Sequence, residues 1–355
     1  MELNNIIFSC LLLLFGYIFN KYILKLFYNL KFNYLIDNDY KKPQAFHEKS
    51  TYRLGGVTFF LLLMLTFLYL FISKNILFFE YISFCTLFFL LGFIDDLKIK
   101  IAPKFRLIIM VGFLFFLVIH NQIYIEKTGL EFLNNLLEID IFSLFFICLC
   151  FLFIINGCNL IDGFNGLLSI HSLVIFIILL GINFTNGNND LAYVLFFIIL
   201  INLLFIKFNF PKAQMFLGDS GAYLLGILVA ISVVKTSILN PTISPFFFAV
   251  LLFYLFFEVF FSFFRKIFIT RKSPLLPDNK HLHMIFYKFL LTTGKTKFNS
   301  NYLVSAYINL SYFFLIIPGV FFMFNGLFCR YYFFTLFFIY IYFYKFFRKK
   351  IKNKF

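Results

Sequence analysis

The sequence predicts an all-α, polytopic integral membrane protein of about eleven transmembrane helices, with the N-terminus outside and the C-terminus cytoplasmic. Three observations predict it. Of the 355 residues, 62% are hydrophobic and 13% charged, against about half and about a quarter in soluble domains. The apolar residues run continuously instead of alternating, and hydrocarbon admits only helices or closed barrels, so the runs are helices. The basic residues collect on one set of connections.

The first run, Ile6 to Phe19, has no basic segment before it and no Ala-x-Ala site. It reads as an uncleaved first span, 5–27, and not as a signal peptide. Ten further stretches approach the roughly 20 residues a crossing needs: 55–73, 76–94, 106–124, 141–156, 167–183, 191–207, 221–235, 245–264, 302–324 and 328–347. With the N-terminus outside, the connections 28–54, 95–105, 157–166, 208–220 and 265–301 and the tail from 348 face inward. Assigning each Lys and Arg to the nearer end of its span leaves only Lys74, Lys127, Lys235 and Arg330 on the outer side, the positive-inside pattern. That use of basic residues accounts for the net charge of +15 without nucleic acid. No repeat or long linker marks a second domain, so 1–355 is a single transmembrane unit. The six Cys show no metal-type spacing and serve as small hydrophobes.

The acidic residues ask for more than topology. Asp95 and Asp96 close an apolar run that begins near Ile76, and an ionised Asp in hydrocarbon costs roughly 2.5–3.5 kcal/mol. Lys98, Lys100, Lys104 and Arg106 follow, and acids beside bases at a membrane edge suit a phosphate ligand that needs a metal or a base. Asn156, Asn159 and Asp162 recur every three residues and so share one side of a helix end or turn. Gly163 and Gly166, which flank Asn165, allow a close backbone approach or a positive φ. Oxygens of this kind suit Mg²⁺, although Asn-Gly and Asp-Gly also mark plain turns.

Phe216-Leu217-Gly218-Asp219-Ser220-Gly221 opens the span 221–235. A helix N-terminus with Ser and Gly is an anion site, beside which Asp219 could hold a cation; helix capping is the compatible alternative. His281 and His283 are two of five His and can bind a metal or phosphate oxygens, or be incidental to a loop. Glu258 lies inside the span 245–264 and is expected to face a cavity. Arg265, Lys266, Arg271 and Lys272 border the membrane as topogenic charge or lipid contacts. Glu126, Glu131, Glu138 and Asp140, in the outer connection 121–140, read as a solvated loop. Every other cluster falls on the side that the basic residues assign to the cytoplasm.

At these residues the sequence resembles the polyprenyl-phosphate N-acetylhexosamine-1-phosphate transferases, from about Asp39 to Met284. Lys42-Pro43-Gln44-Ala45-Phe46-His47 with Arg53-Leu54-Gly55-Gly56 is similar to the family's first cytoplasmic loop, and Asp95-Asp96 to its aspartate pair. Asn156 to Leu167 resembles its Asn-x-x-Asn-x-x-Asp-Gly element, Gly218 to Gly221 its Gly-Asp-Ser-Gly element, and His281-Leu282-His283 its His-x-His-His loop. The resemblance implies transfer of a sugar 1-phosphate from a UDP-sugar to undecaprenyl phosphate, with release of UMP and dependence on Mg²⁺ or Mn²⁺. It implies the initiating step of a lipid-linked polysaccharide or cell-envelope glycan, at the cytoplasmic face of a bacterial inner membrane.

By position, Asp219 would be the principal metal ligand, with Asn156 near the same ion. Asp95 and Asp96 would engage the lipid phosphate or take its proton. Asp162, Asn159 and Asn165 would line the nucleotide site, Phe216 would stack on uracil, and His281 and His283 would contact the diphosphate. His47, Lys104 and Arg106 join the substrate-binding set. The expected partners are a UDP-N-acetylhexosamine, undecaprenyl phosphate and the bilayer; a homodimer is compatible with this reading. Met284 stands where the family usually has a third His, and Asn165 where many members have Asp. The His-x-His arrangement resembles the N-acetylglucosamine-type branch more than the branch acting on UDP-MurNAc-pentapeptide. The alternatives are a transporter or flippase, or a catalytically impaired member of the same family.

Overall fold

The computed structural model describes residues 3–30, 34–37, 50–99, 101–271, 273 and 279–352. His47, Asp278 and the segment beginning at Lys42 lie outside them. Each of the eleven predicted runs is helical: α1 (Leu3–Leu30), α2 (Gly55–Lys74), α3 (Phe79–Asp96), α4 (Pro103–Asn121), then, after a short α5 (Glu131–Leu137), α6 (Asp140–Ile161), α7 (Leu167–Thr185), α8 (Asn189–Asn209), α9 (Gly218–Leu239), a broken pair α10 (Pro245–Leu251) and α11 (Phe253–Phe264), and, after α12 (Leu282–Thr292), the long α13 (Lys297–Phe321) and α14 (Gly326–Lys352). Among the described residues nine helices are long and apolar enough to cross a membrane, or ten with the bent α10–α11 pair as one span. The remaining run, α3, is 18 residues long, or about 27 Å at the helical rise. It carries Glu80, Asp95 and Asp96 and, being that short, has no uncharged stretch of spanning length between them. The chain is a multi-pass membrane protein.

Three features had no sequence signal strong enough to predict them. The connection 121–140 contains α5, and the connection 265–301 contains α12. The span 245–264 breaks at Leu252 and bends by 75°, with neither Pro nor Gly at the break. Tyr312 of α13 donates its hydroxyl to the Leu251 carbonyl at 2.5 Å, so a side chain takes an acceptor at the break, one of the recognised causes of a helix kink.

Helix α9 is the centre of the bundle. It is buried on nearly every face, as expected of a helix that is apolar all round, and α2, α3, α6 and α7 pack around it. Small residues make this approach close. A Cβ on Gly56 would stand 2.4 Å from the Gly221 nitrogen, and one on Gly226 2.8 Å from the Ile155 Cα. A Cβ on Gly92 would stand 2.5 Å from the Asp219 carbonyl and from Ser220 N and Cα. Gly92→Val is therefore expected to push α3 off the start of α9, with an overpacking cost of about 1–3 kcal/mol. The purified variant should unfold at a lower temperature; an unchanged midpoint would count against this seam.

The outer surfaces of α1, α4 and α14 expose Leu14, Ile18, Ile108, Phe116, Phe334 and Phe338, side chains that lipid covers in a membrane. The four basic residues assigned to the outer end all engage neighbours there. Lys235 pairs with Glu80, and Lys74 lies over the Tyr193 ring. Lys127 donates to the Pro241 carbonyl and Arg330 to that of Gly129.

Candidate active site

The opposite end of α9 carries the site, and its construction starts from an incomplete helix terminus. The first N–H groups of a helix have no intrahelical partner, and Leu217, just before α9, has no side chain able to cap them. Asp96, at the end of α3, does so from outside. Its Oδ1 accepts the Asp219 N–H at 2.9 Å, and its Oδ2 accepts the Ser220 N–H at 2.9 Å and the Ser220 hydroxyl at 2.6 Å. The Asp96 side chain is 0% exposed. Gly218 is required here: its φ is +78°, and a Cβ would stand 2.6 Å from Asp96 Oδ2.

The first loop is stitched to the same point. A short hairpin, β1 (Ile36–Asp37) and β2 (Thr51–Tyr52), pairs antiparallel, and Tyr52 bridges in parallel to Met215. The chain then continues the pairing: Phe216 N–H donates to Tyr52 O (2.8 Å), Gly55 N–H to Phe216 O (2.9 Å) and Gly56 N–H to Leu217 O (2.8 Å). This ladder carries Arg53 to the start of α9. Its guanidinium binds Asp37 Oδ2 at 2.6 Å and reaches Asp96 Oδ1 at 3.4 Å and Asp219 Oδ2 at 3.9 Å. Burial works against the charged form of Arg53, but Asp219, Asp37 and Asp96 outweigh it and hold the guanidinium more firmly protonated than usual.

Asp219 is the open member of the group. Its side chain is 32% exposed, and Asn159 of α6 donates to its Oδ1 at 2.9 Å. Asn156, three residues earlier on α6, spends its amide N–H on the Leu152 carbonyl at 2.8 Å. Each of these Asn residues thus has its NH₂ in use, Asn156 within α6 and Asn159 across to Asp219, which leaves an amide oxygen as its ligand atom. Asp162 follows the end of α6. Burial first, then Asp219 and Asp96, raise its carboxyl well above the usual carboxylate range, against the pull of Arg53. Asp95 is 9% exposed and pairs with Arg106 of α4 at 2.8 Å. Among the described residues no three His, Cys, Asp or Glu form a ready-made metal cluster.

The remaining predicted residues divide between this group and its margins. Asn165 makes the Asp162–Gly166 turn rigid: its backbone N–H donates to Asn301 Oδ1 (2.9 Å) and its side chain to the Pro211 carbonyl (3.0 Å). Phe216 is half-buried in the strand-like ladder, and Lys104 is exposed on the first turn of α4. His281 and His283 sit against Glu258, with Nδ1 atoms 2.9 and 3.4 Å from its two oxygens. The His283 ring meets Phe164 edge-on, with centroids 5.8 Å apart, so the His loop supports the turn that bears Asp162. Burial lowers the affinity of His283 for a proton, with Glu258 pulling the other way. Met284 is fully buried and packs into the apolar core.

Two residues that the motifs contain take roles the sequence does not assign. Arg53, in the first-loop motif, depends for its place on a loop pairing that no local pattern announces. Ser220, which the sequence offers as part of an anion site or a cap, gives its hydroxyl and N–H to Asp96.

A family model described as glycosyl transferase family 4 matches residues 78–237, which contain Asp95, Asp96, Asn156 to Asn165 and Asp219. An undecaprenyl-phosphate alpha-N-acetylglucosaminyl 1-phosphate transferase of Thermotoga maritima is 28% identical over 248 residues, 68% of this chain and 69% of that one. A phospho-N-acetylmuramoyl-pentapeptide-transferase of Dictyoglomus thermophilum is 32% identical over 268 residues, 71% and 83% of the two chains. The transferase of the same description from Listeria innocua is 31% identical over 201 residues, which span 53% of this chain and 62% of its own length.

Proposed function

The chain belongs to glycosyl transferase family 4, the polyprenyl-phosphate sugar-1-phosphate transferases, and on that footing we propose that it moves an N-acetylhexosamine 1-phosphate from its UDP ester to undecaprenyl phosphate. In the net reaction the acceptor phosphate gains a P–O bond to the sugar-bearing phosphorus, and the bridging oxygen leaves with UMP. This would be the initiating step of a lipid-linked glycan at the cytoplasmic face of a bacterial inner membrane. The observation that carries the reading is the partly exposed Asp219 carboxylate at the N-terminus of α9, held by Asn159 and beside Arg53.

Phosphoryl transfer asks for charge neutralisation and positioning more than for covalent chemistry by the protein. Asp219, with the amide oxygens of Asn156 and Asn159 and the neighbouring Asp162, offers the hard oxygen donors Mg²⁺ prefers. That ion commonly takes only one or two protein carboxylates and keeps several waters, so the donor set fits without a preformed cluster. Bound there, Mg²⁺ or Mn²⁺ would neutralise the diphosphate. Arg53 and Arg106 bring positive charge to the same edge, where Arg106 and its partner Asp95 would meet the lipid phosphate. The Asp162–Asn165 turn would receive the nucleotide, with Phe216 beside the base, and His281 and His283 would serve the diphosphate. Asp96, saturated by the start of α9, acts as the fixed wall of the site.

Purified protein supplied with undecaprenyl phosphate, Mg²⁺ and a UDP-N-acetylhexosamine is expected to release UMP. Chelation should stop the release, and added Mg²⁺ or Mn²⁺ should restore it. Absence of UMP with every UDP-N-acetylhexosamine tried would overturn the proposal, and full turnover in excess chelator would remove the metal from it.

A further inference from the structure

A second group of buried ionisable side chains lies where α11 meets the start of α12. Glu258 is fully buried on α11. Its Oε2 is 2.9 Å from His281 Nδ1 and its Oε1 is 3.4 Å from His283 Nδ1. Oε1 also accepts the Leu282 N–H at 3.2 Å. The two imidazoles lie 11° from parallel, with centroids 5.5 Å apart. Tyr254, one turn earlier on α11, has its hydroxyl 3.4 Å from His283 Nδ1, and Tyr340 of α14 also faces the carboxylate. His171 of α7 lies behind Tyr254, with ring centroids 5.4 Å apart.

A carboxylate among membrane helices is expensive unless it is used. Tying α12 to α11 would require one acceptor for the Leu282 N–H, which a neutral side chain supplies. Glu258 does more: it meets the same nitrogen of two different rings. An imidazole has two nitrogens, and a carboxylate on one fixes both the tautomer and the orientation of the other. His281 Nδ1 is hydrogen-bonded to Glu258, and His283 Nδ1 is shared between Glu258 and the Tyr254 hydroxyl, each at 3.4 Å. That leaves each ring its Nε2, which in His283 is a buried nitrogen with no hydrogen-bond partner.

We propose that Glu258 is a positioning residue for the transferase, holding the Nδ1 side of His281 and His283 so that each ring keeps its Nε2 for a ligand, the buried and unpartnered His283 Nε2 included. The consequence for the reaction rests on the proposed service of the His pair to the donor diphosphate; the orientation itself does not.

The test uses full-length protein in lipid nanodiscs with ring-¹⁵N-labelled histidine, the two resonances being assigned with His281→Asn and His283→Asn. Glu258→Gln, nearly isosteric and still able to accept the Leu282 N–H, is expected to shift both ring resonances and to lower kcat about tenfold or more, with the KM for the lipid acceptor little changed. Burial lowers the proton affinity of His283 and the Glu258 carboxylate pulls it back up; Gln does not, so the titration of the His283 ring should move to lower pH. Glu258→Asp, which keeps the charge, should recover part of the rate. Unchanged ring resonances in Glu258→Gln, or an Asp variant no better than Gln, would overturn the proposal and leave Glu258 a helix tie. If His281→Asn and His283→Asn both transfer at the wild-type rate, the diphosphate role falls instead, and the ring resonances alone decide the orientation by Glu258.

Discussion

Asp219→Asn is expected to lower transfer by about 10²–10³-fold, the loss typical when one preorganised electrostatic group is removed from a charge-stabilising site, with little change in the unfolding midpoint. The reason is the way the carboxylate is held. One oxygen accepts the Asn159 amide at 2.9 Å and the other faces Arg53 at 3.9 Å. The amide replacement must turn its NH₂ toward one of these two donors. The charge that would attract a cation and balance Arg53 is gone in either orientation. Because the side chain is 32% exposed and carries none of the backbone bonds that join α3 to α9, the fold does not depend on it. UMP release by the purified variant, with a melting curve on the same sample, checks both halves. Near-normal turnover would remove Asp219 from the centre of the reaction.

Asp96→Ala should behave in the opposite way, with stability and activity lost together. Asp96 accepts two N–H groups and one hydroxyl from the first turn of α9 and faces Arg53 at 3.4 Å. Removing it strands those donors in the interior, and breaking a buried charged pair in this manner costs about 3–5 kcal/mol. The variant should still insert, since the hydrophobic runs are untouched, but it should unfold at a clearly lower temperature. Asp95→Asn is the matched comparison. Its partner Arg106 is 29% exposed, so the midpoint should fall less even where transfer is lost. A wild-type midpoint in Asp96→Ala with transfer abolished would return Asp96 to the direct chemical role that the family resemblance implied.

The contrast between these neighbours bears on what was readable in advance. Adjacent Asp residues at the end of one helix are equivalent in sequence. Successive helical positions point about 100° apart, so one carboxylate faces α9 and the other faces Arg106 of α4. Only the packing of α3 against α9, made close by Gly92, decides which is which. The same holds for the His loop. Glu258 was visible as an intramembrane acid, and its partners 23 and 25 residues away were visible as a pair, but nothing local joined them. The break at Leu252 that gives Glu258 its own short helix has no Pro or Gly to announce it, and a distant Tyr312 hydroxyl takes the Leu251 carbonyl.

What the sequence determined by itself was the membrane-spanning helical class, the eleven apolar runs and the short elements that would carry chemistry. Each depends on composition and spacing over a few residues, which burial in hydrocarbon constrains strongly. Tertiary structure alone decided how those elements are used: Asp96 as the external cap of α9, Asp219 as the open carboxylate, Arg53 as the cation between them and Glu258 as the holder of two imidazoles. A buried charge takes its meaning from the partners that satisfy it, and here those partners come from other helices and loops.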